Sequence, residues 1–230
     1  ALDSIIAIEV SAVNYVFPQS AFLFDNTSDS SISGLAIYGF ARSGVNIEDS
    51  NNISVAGNYI GTDSTGLAVM TVSGNNILFE RDSDNNIIGG TDPEDRNLIV
   101  NNTFGYGVRN TSFGSDNNQI LGNIIGLGRD GNTILANNTG IYFEEINGVT
   151  VGTAGAGNVI SGNTYEGIIM IDTNDITIQA NHIGVDSTGL IDRGNAVFGV
   201  DFNTVDNVYI GGPNSNQGNI IAGNDSIGLY

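Results

Sequence analysis

Two short loops of this 230-residue chain repeat one acidic motif, Thr62-Asp63-Ser64-Thr65-Gly66 and Val185-Asp186-Ser187-Thr188-Gly189. Each puts a carboxylate, hydroxyls and carbonyls within a single turn, the all-oxygen donor set that hard Ca²⁺ takes. The same residues also make an Asx turn, in which the aspartate accepts a backbone N–H and the glycine closes the bend. Asp63 and Asp186 are therefore candidate Ca²⁺ ligands with a structural alternative. A second acidic set, Glu48, Glu80 and Glu144, comes just after a short apolar segment in three places, and Asp92, Glu94 and Asp95 crowd another loop. Carboxylates on neighbouring strands, about 5 Å apart, repel, so a cation between them would relieve the stack. Tyr142, beside Glu144, offers a ring face on which a sugar can stack, as Tyr165 and Tyr230 also could. Glu48, Glu80, Tyr142 and Glu144 are the candidate ligand-binding residues.

Groups for covalent or acid–base catalysis are sparse. Cysteine and lysine are absent, and His182 is the single histidine, placed where related segments carry Tyr59 and Ile124. A serine nucleophile would need that histidine as its base, and no motif surrounds it. Arg109 stands on the outward side of Gly107-Val108-Arg109, but Leu78 and Tyr142, not carboxylates, hold the corresponding positions on the adjacent segments.

Charge narrows the partners. Twenty-five acidic residues against 6 basic ones give a net charge of −19, and all six basic residues are isolated arginines. No basic stripe exists to neutralise phosphates or an anionic lipid face, which excludes nucleic acid as an expected partner. Apolar runs fall far short of the roughly 20 residues of a membrane helix, and no charged-then-apolar leader opens the chain at Ala1.

The elements that must position these groups are short strands. Glycine numbers 32 and asparagine is equally frequent, proline numbers only 3, and 40% of the chain is hydrophobic. Apolar runs of a few residues, often alternating, are bounded by Asn, Gly, Asp and Ser, which is strand-and-turn patterning. Three segments align with one another: Gly57-Asn58-Tyr59-Ile60-Gly61, Gly122-Asn123-Ile124-Ile125-Gly126 and Ala180-Asn181-His182-Ile183-Gly184. Arg96-Asn97-Leu98-Ile99, Gly157-Asn158-Val159-Ile160 and Gly218-Asn219-Ile220-Ile221 interleave with them. A short strand usually led by glycine recurs at Gly44, Asn76, Gly107, Gly140, Gly167, Gly199 and Gly228. The unit is about 30 residues and two alternating kinds of unit make a double repeat of about 60, the signature of a solenoid. Three strands per unit predict an all-β, right-handed parallel β-helix of about seven to eight coils around a dry interior.

Val45, Ile47, Ile53, Val55, Ile60, Ile77, Phe79, Ile87, Ile99, Ile141, Phe143, Ile176, Ile178, Ile183, Val200, Phe202 and Ile210 are the expected inward positions. Asn58, Asn97, Asn123, Asn158, Asn181 and Asn219 are expected to sit at tight bends and bond to one another along the axis. Residues 1–20 break the repeat and read as an irregular first coil or cap to the repeats of 21–230. Gly228, Leu229 and Tyr230 end inside a glycine-led strand, so an open coil there is expected to dock on a neighbouring domain or another copy.

Ile32-Ser33-Gly34-Leu35-Ala36-Ile37-Tyr38-Gly39-Phe40, Asn86-Ile87-Ile88-Gly89-Gly90, Arg96-Asn97-Leu98-Ile99 and the segment from Gly57 to Gly66 resemble the parallel β-helix repeats of large bacterial and archaeal exported or surface proteins. The resemblance runs from about residue 20 onward. It implies the pectin-lyase-like superfold and an extracellular or cell-surface setting. That superfold hosts lyases, hydrolases, adhesins and inert stalks, so the resemblance fixes no activity. Lyases of this class use an Arg or Lys base beside Ca²⁺-binding acids, and its glycosidases use paired aspartates with a Gly-His-Gly segment. Missing lysine, a lone histidine and even spacing weigh toward a non-catalytic module, a stalk, adhesin or filament component that binds glycans or cations. A carbohydrate-active enzyme is the alternative.

Overall fold

A computed structural model describes residues 8–11, 19–70, 72–110 and 114–230. Within them the strands fall into three parallel sheets of eight, eight and seven strands, with successive strands passing from sheet to sheet. The first sheet runs from Ile8–Ser11 through Leu35–Tyr38 to Ile220–Ile221. The second runs from Ser20–Asp25 through Ser43–Glu48 to Ile227–Leu229, and the third from Ser31–Ser33 through Ser54–Ala56 to Asp206–Ile210. One strand per sheet makes one coil, and the chain is a right-handed parallel β-helix. Of the expected cap, Ile8–Ser11 pairs in parallel with Leu35–Tyr38, while residues 1–7 and 12–18 lie outside the described residues.

Register stacks like on like, as the repeat required. On the first sheet Ile37, Ile60, Ile99, Ile125, Ile160, Ile183 and Ile221 are successive partners. On the second, Val45, Ile77, Val108, Ile141, Ile168 and Val200 stand in sequence, each fully buried. Each such side chain contributes about 1.5–3 kcal/mol by leaving water, and none can do so without the coil on either side. Ile87 departs from expectation: it is half-buried, and Ile88 points inward instead, because Ile88 is the register partner of Val55 and Ile120. Phe202 and Ile210 hold inward registers beside Met170 and Ile178, but on the last coil they stay half-buried and exposed.

The glycine-led strand has a steric cause. A Cβ on Gly107, Gly140, Gly167 or Gly199 would fall 2.5–2.6 Å from the carbonyl oxygen of the next glycine in the column, so only glycine lets successive coils approach there.

The bends are held by side-chain ladders. Backbone N–H groups of Asn58, Asn97, Asn123, Asn158 and Asn181 each donate to the Oδ1 of the next ladder asparagine, at 2.9–3.2 Å, ending on Asn219. Each side-chain amide donates to that same Oδ1 and to a strand carbonyl one coil back, as Asn123 does to Asn158 and Ile88. A second ladder, not foreseen, joins Asn137, Asn163, Asn195 and Asn224 at the bend entering the second sheet. The third bend uses hydroxyls: Ser50 N donates to Ser83 Oγ and Ser83 N to Ser115 Oγ, both at 3.3 Å. Buried backbone donors that strand pairing leaves over are thereby satisfied.

Alternate coils differ in the connection that leaves the first sheet. After Tyr59–Ile60, Ile124–Ile125 and His182–Ile183 the chain makes a long loop, whereas after the intervening strands it turns quickly into the second sheet. The latter two long loops are hairpin-like, with antiparallel bridges Leu127↔Ile134 and Val185↔Asp192. All three stack: Arg129 N donates to Gly66 O at 3.1 Å and Ser187 N to Gly131 O at 3.0 Å. They roof the outer face of the first sheet, where Tyr59, Leu98, Val100, Ile124, Leu127 and Leu135 form a second buried cluster. The double repeat seen in the sequence is this alternation of roofing and plain coils.

Candidate functional site

With the first sheet roofed, the second sheet keeps an open outer face. Its central outward column runs Asn46, Leu78, Arg109, Tyr142, Ile169, Asp201 in register; Asn46 and Leu78 are buried, and the face is open from Arg109 onward, where the other four are half-exposed. Arg109 therefore lies between Leu78 and Tyr142, as the sequence spacing required. Alternation places Val108 and Ile141 inside and their neighbours Arg109 and Tyr142 outside.

An aromatic and charged cluster occupies the middle of this face. The Tyr106 and Tyr142 rings lie 4.7 Å apart, tilted by 43°, and the Arg109 guanidinium carbon sits 5.3 Å from the Tyr106 ring centre. That is cation–π distance, which orients the guanidinium without neutralising it. Arg109 Nε is buried without a hydrogen-bond partner, and no ion pair among the described residues includes Arg109. Tyr142 Oη donates to Glu144 at 3.0 Å. Burial, with this bond to a carboxylate as the next cause, pushes the Tyr142 phenol up to about 12, so the ring keeps its proton at neutral pH. Thr139 Oγ1 donates to Glu166 at 3.1 Å on the same side, and burial raises the Asp201 carboxyl above its ordinary value.

Tyr142 and Glu144 thus come together as candidate ligand residues. Glu48 and Glu80 are register partners on adjacent strands, Glu144 lies two coils beyond Glu80, and the position between Glu80 and Glu144 lies outside the described residues. Arginines relieve that pair: Arg81 reaches Glu48 at 2.6 Å and Asp49 at 3.0 Å, and Arg42 reaches Glu80 at 2.5 Å. Tyr106, Glu166 and Asp201 escape a reading of the sequence. For Tyr106 and Glu166 the signal is positional, since they and Thr139 each precede a strand-leading glycine by one residue.

The loop aspartates lie elsewhere, in the roof. Asp63 Oδ1 accepts from Thr65 N at 3.0 Å and Thr65 Oγ1 at 2.5 Å. Asp186 Oδ1 accepts from Leu190 N and Ile191 N, both at 3.0 Å, and Thr188 Oγ1 bonds both carboxylate oxygens at 2.8 Å. Burial acts to raise the Asp186 carboxyl, but the bonds from Ile191, Thr188 and Leu190 outweigh it and hold the group below the usual carboxylate range. Asp130 repeats the arrangement with Asn132 and Thr133. Asp63 and Asp130 make Asx turns, Asp186 closes a wider loop through Leu190 and Ile191, and no group of three or more His, Cys, Asp or Glu converges among the described residues.

At the last coil, Ile227–Leu229 pairs with the strand Phe198–Asn203 and leaves Leu229 exposed, while Tyr230 stacks on Phe198 with ring centres 4.9 Å apart. Gly228 closes the glycine column over Gly199.

No family model matches this sequence, and no curated protein does. Solved structures with a similar course of chain include tailspike protein 2 of Escherichia coli O157:H7 bacteriophage CAB120, at 15% identity and a TM-score of 0.49 over 76% of this chain and 20% of that one. A mutant of a periplasmic alginate epimerase aligns at 17% identity and a TM-score of 0.48, over 92% of this chain and 46% of the epimerase. The chain spans about a fifth of the tailspike and less than half of the epimerase.

Proposed function

We propose that this β-helix is a glycan-binding module of an exported or cell-surface protein, holding a saccharide chain along the open face of the second sheet. The observation that carries the reading is the Arg109–Tyr106–Tyr142 cluster, an arginine with no carboxylate partner among the described residues lying on the Tyr106 ring, which in turn meets Tyr142. A tyrosine ring offers a sugar an apolar face, and a guanidinium offers its carboxylate or sulfate a planar fork of donors. Glu144 and Glu166 supply acceptors for hydroxyls. Strands repeat every 4.7–4.9 Å, close to the advance per residue of an extended pyranose chain, so successive sugars would meet successive coils. The acidity of the chain sets a limit, because a densely charged polyanion would be repelled everywhere except near Arg109.

Isothermal titration with oligosaccharides bearing occasional uronate or sulfate groups tests the reading. Arg109→Gln combined with Tyr142→Ala should abolish binding while the melting temperature holds, and unchanged binding in that variant would refute it. A catalytic reading draws on one observation, the protonated Tyr142 held by Glu144 next to Arg109, a proton donor beside a cation. Release of new reducing ends or of unsaturated products from a bound glycan would establish that reading, and their absence would leave a binding module.

A further inference from the structure

A different face carries a second arginine in an unusual setting. Arg96 is half-buried at the bend between the third and first sheets, and its Nε donates to the Gly122 carbonyl at 2.7 Å. Asp92, Glu94 and Asp95 precede it closely in sequence, yet none of the ion pairs among the described residues includes it. One of the five guanidinium N–H donors is occupied by Gly122, and the charge itself has no counterion. Burial accordingly lowers its pKa.

Arg96 lines a cleft of about 260 Å³ together with Asn158, Val159, His182, Ser187 and the glycine turn at Gly155 and Gly157. The cleft lies between that bend and the last roofing hairpin, which carries Ser187. No aspartate or glutamate lines it, although acidic residues outnumber basic ones by 25 to 6 in the chain. His182 Nδ1 is 3.3 Å from the Asp186 carbonyl, to which it donates when protonated there, so Nε2 remains for a ligand. A wall that combines an uncompensated guanidinium with a hydroxyl, in a protein otherwise acidic, fits a negatively charged group, and the Nε2 lone pair of the neutral ring suits a neighbouring hydroxyl donor.

We infer that this cleft is an oxyanion site, separate from the open face of the second sheet, and that it takes the carboxylate or sulfate of a single acidic sugar. Arg96 would hold the oxyanion, the Ser187 hydroxyl would donate to it, and His182 Nε2 would accept from a ring hydroxyl. The volume admits about one sugar ring and no extended chain, which distinguishes this site from the long open face around Arg109.

Nitrogen–proton correlation spectra of the 230-residue chain, recorded at constant ionic strength, provide the test. Glucuronate and glucose 6-sulfate should shift the Arg96 Nε–Hε signal saturably and more tightly than inorganic sulfate does. Arg96→Gln should weaken the affinity about tenfold or more, in line with loss of a charge-assisted pair. Ser187→Ala, whose smaller change leaves the fold intact, should weaken it about threefold. Shifts that track chloride equally, or that survive in both variants, would overturn the inference. Equal affinity for inorganic sulfate and the two sugars would overturn its saccharide part and leave a free-anion site. Arg109→Gln should leave these shifts untouched. If it alone removes them, the anion sits on the second sheet, and this inference fails while the proposed function stands.

Discussion

The outer faces of the first and second sheets are built from the same coils, yet one is core over most of its length while the other is open from Arg109 onward. On the first, outward Tyr59, Leu98, Ile124 and Val159 are buried because stacked loops cover them. On the second, outward Arg109 and Tyr142 stay half-exposed because the turns leaving that sheet are short. A solenoid strand has two sides in principle available for packing, and loop length decides which of them becomes interior. The aromatic and charged cluster of Tyr106, Arg109 and Tyr142 lies where the cover is missing, since a scaffold already stabilised from inside leaves that face free to vary.

Adjacent residues on one strand put this contrast to the test. Phe143 faces the interior and is fully buried, so Phe143→Ala should cost about 3–5 kcal/mol in urea unfolding. Leu135, in the roof, is also buried, and Leu135→Ala should cost about 2–3 kcal/mol if the cover is a true second core. A cost near zero would show that the roof merely rests on the sheet, and the comparison would break. Tyr142→Phe should change stability least at neutral pH, by about 0.5 kcal/mol or less, because it removes one partly exposed hydrogen bond.

The pH behaviour of Tyr142 sharpens the point. Its folded pKa of about 12 lies above the ordinary 10.0, so folding favours the protonated phenol. The stabilisation it brings is complete below about pH 10 and is lost as pH rises through about 12. Ultraviolet titration of the phenolate should show a phase near 12 that Tyr142→Phe removes and Glu144→Gln moves toward lower pH. A phase that persists in Tyr142→Phe would assign the late titration to another tyrosine.

Much of the architecture is legible in residue types alone. The asparagine before six of the eight first-sheet strands and the glycine at the start of six of the eight second-sheet strands are hydrogen-bond or sterically dictated, so they recur and betray the period. Ile87 is misplaced by sequence reasoning because Asn86-Ile87-Ile88-Gly89 offers two adjacent isoleucines and only pairing to Val55 chooses between them. The second ladder escapes notice although Asn137, Asn163, Asn195 and Asn224 each stand three or four residues ahead of a strand-leading glycine. The roof leaves little trace, since Leu127 and Leu135 are sparse apolar residues in polar loops and their partners are distant in the sequence. Site geometry is readable only in fragments for the same reason: Tyr106 meets Tyr142 and Arg109 through register, and register emerges only once coils stack.

The main asparagine ladder gives the solenoid a direction of vulnerability. Every rung donates toward the C-terminal neighbour and accepts from the N-terminal one. Losing the Asn123 amide would strand the Asn97 backbone N–H on one side, whereas Asn158 on the other would still accept from the main chain of residue 123. A lesion is therefore felt upstream of itself, and amide protons on the N-terminal side of a damaged rung should exchange with solvent before those on the C-terminal side.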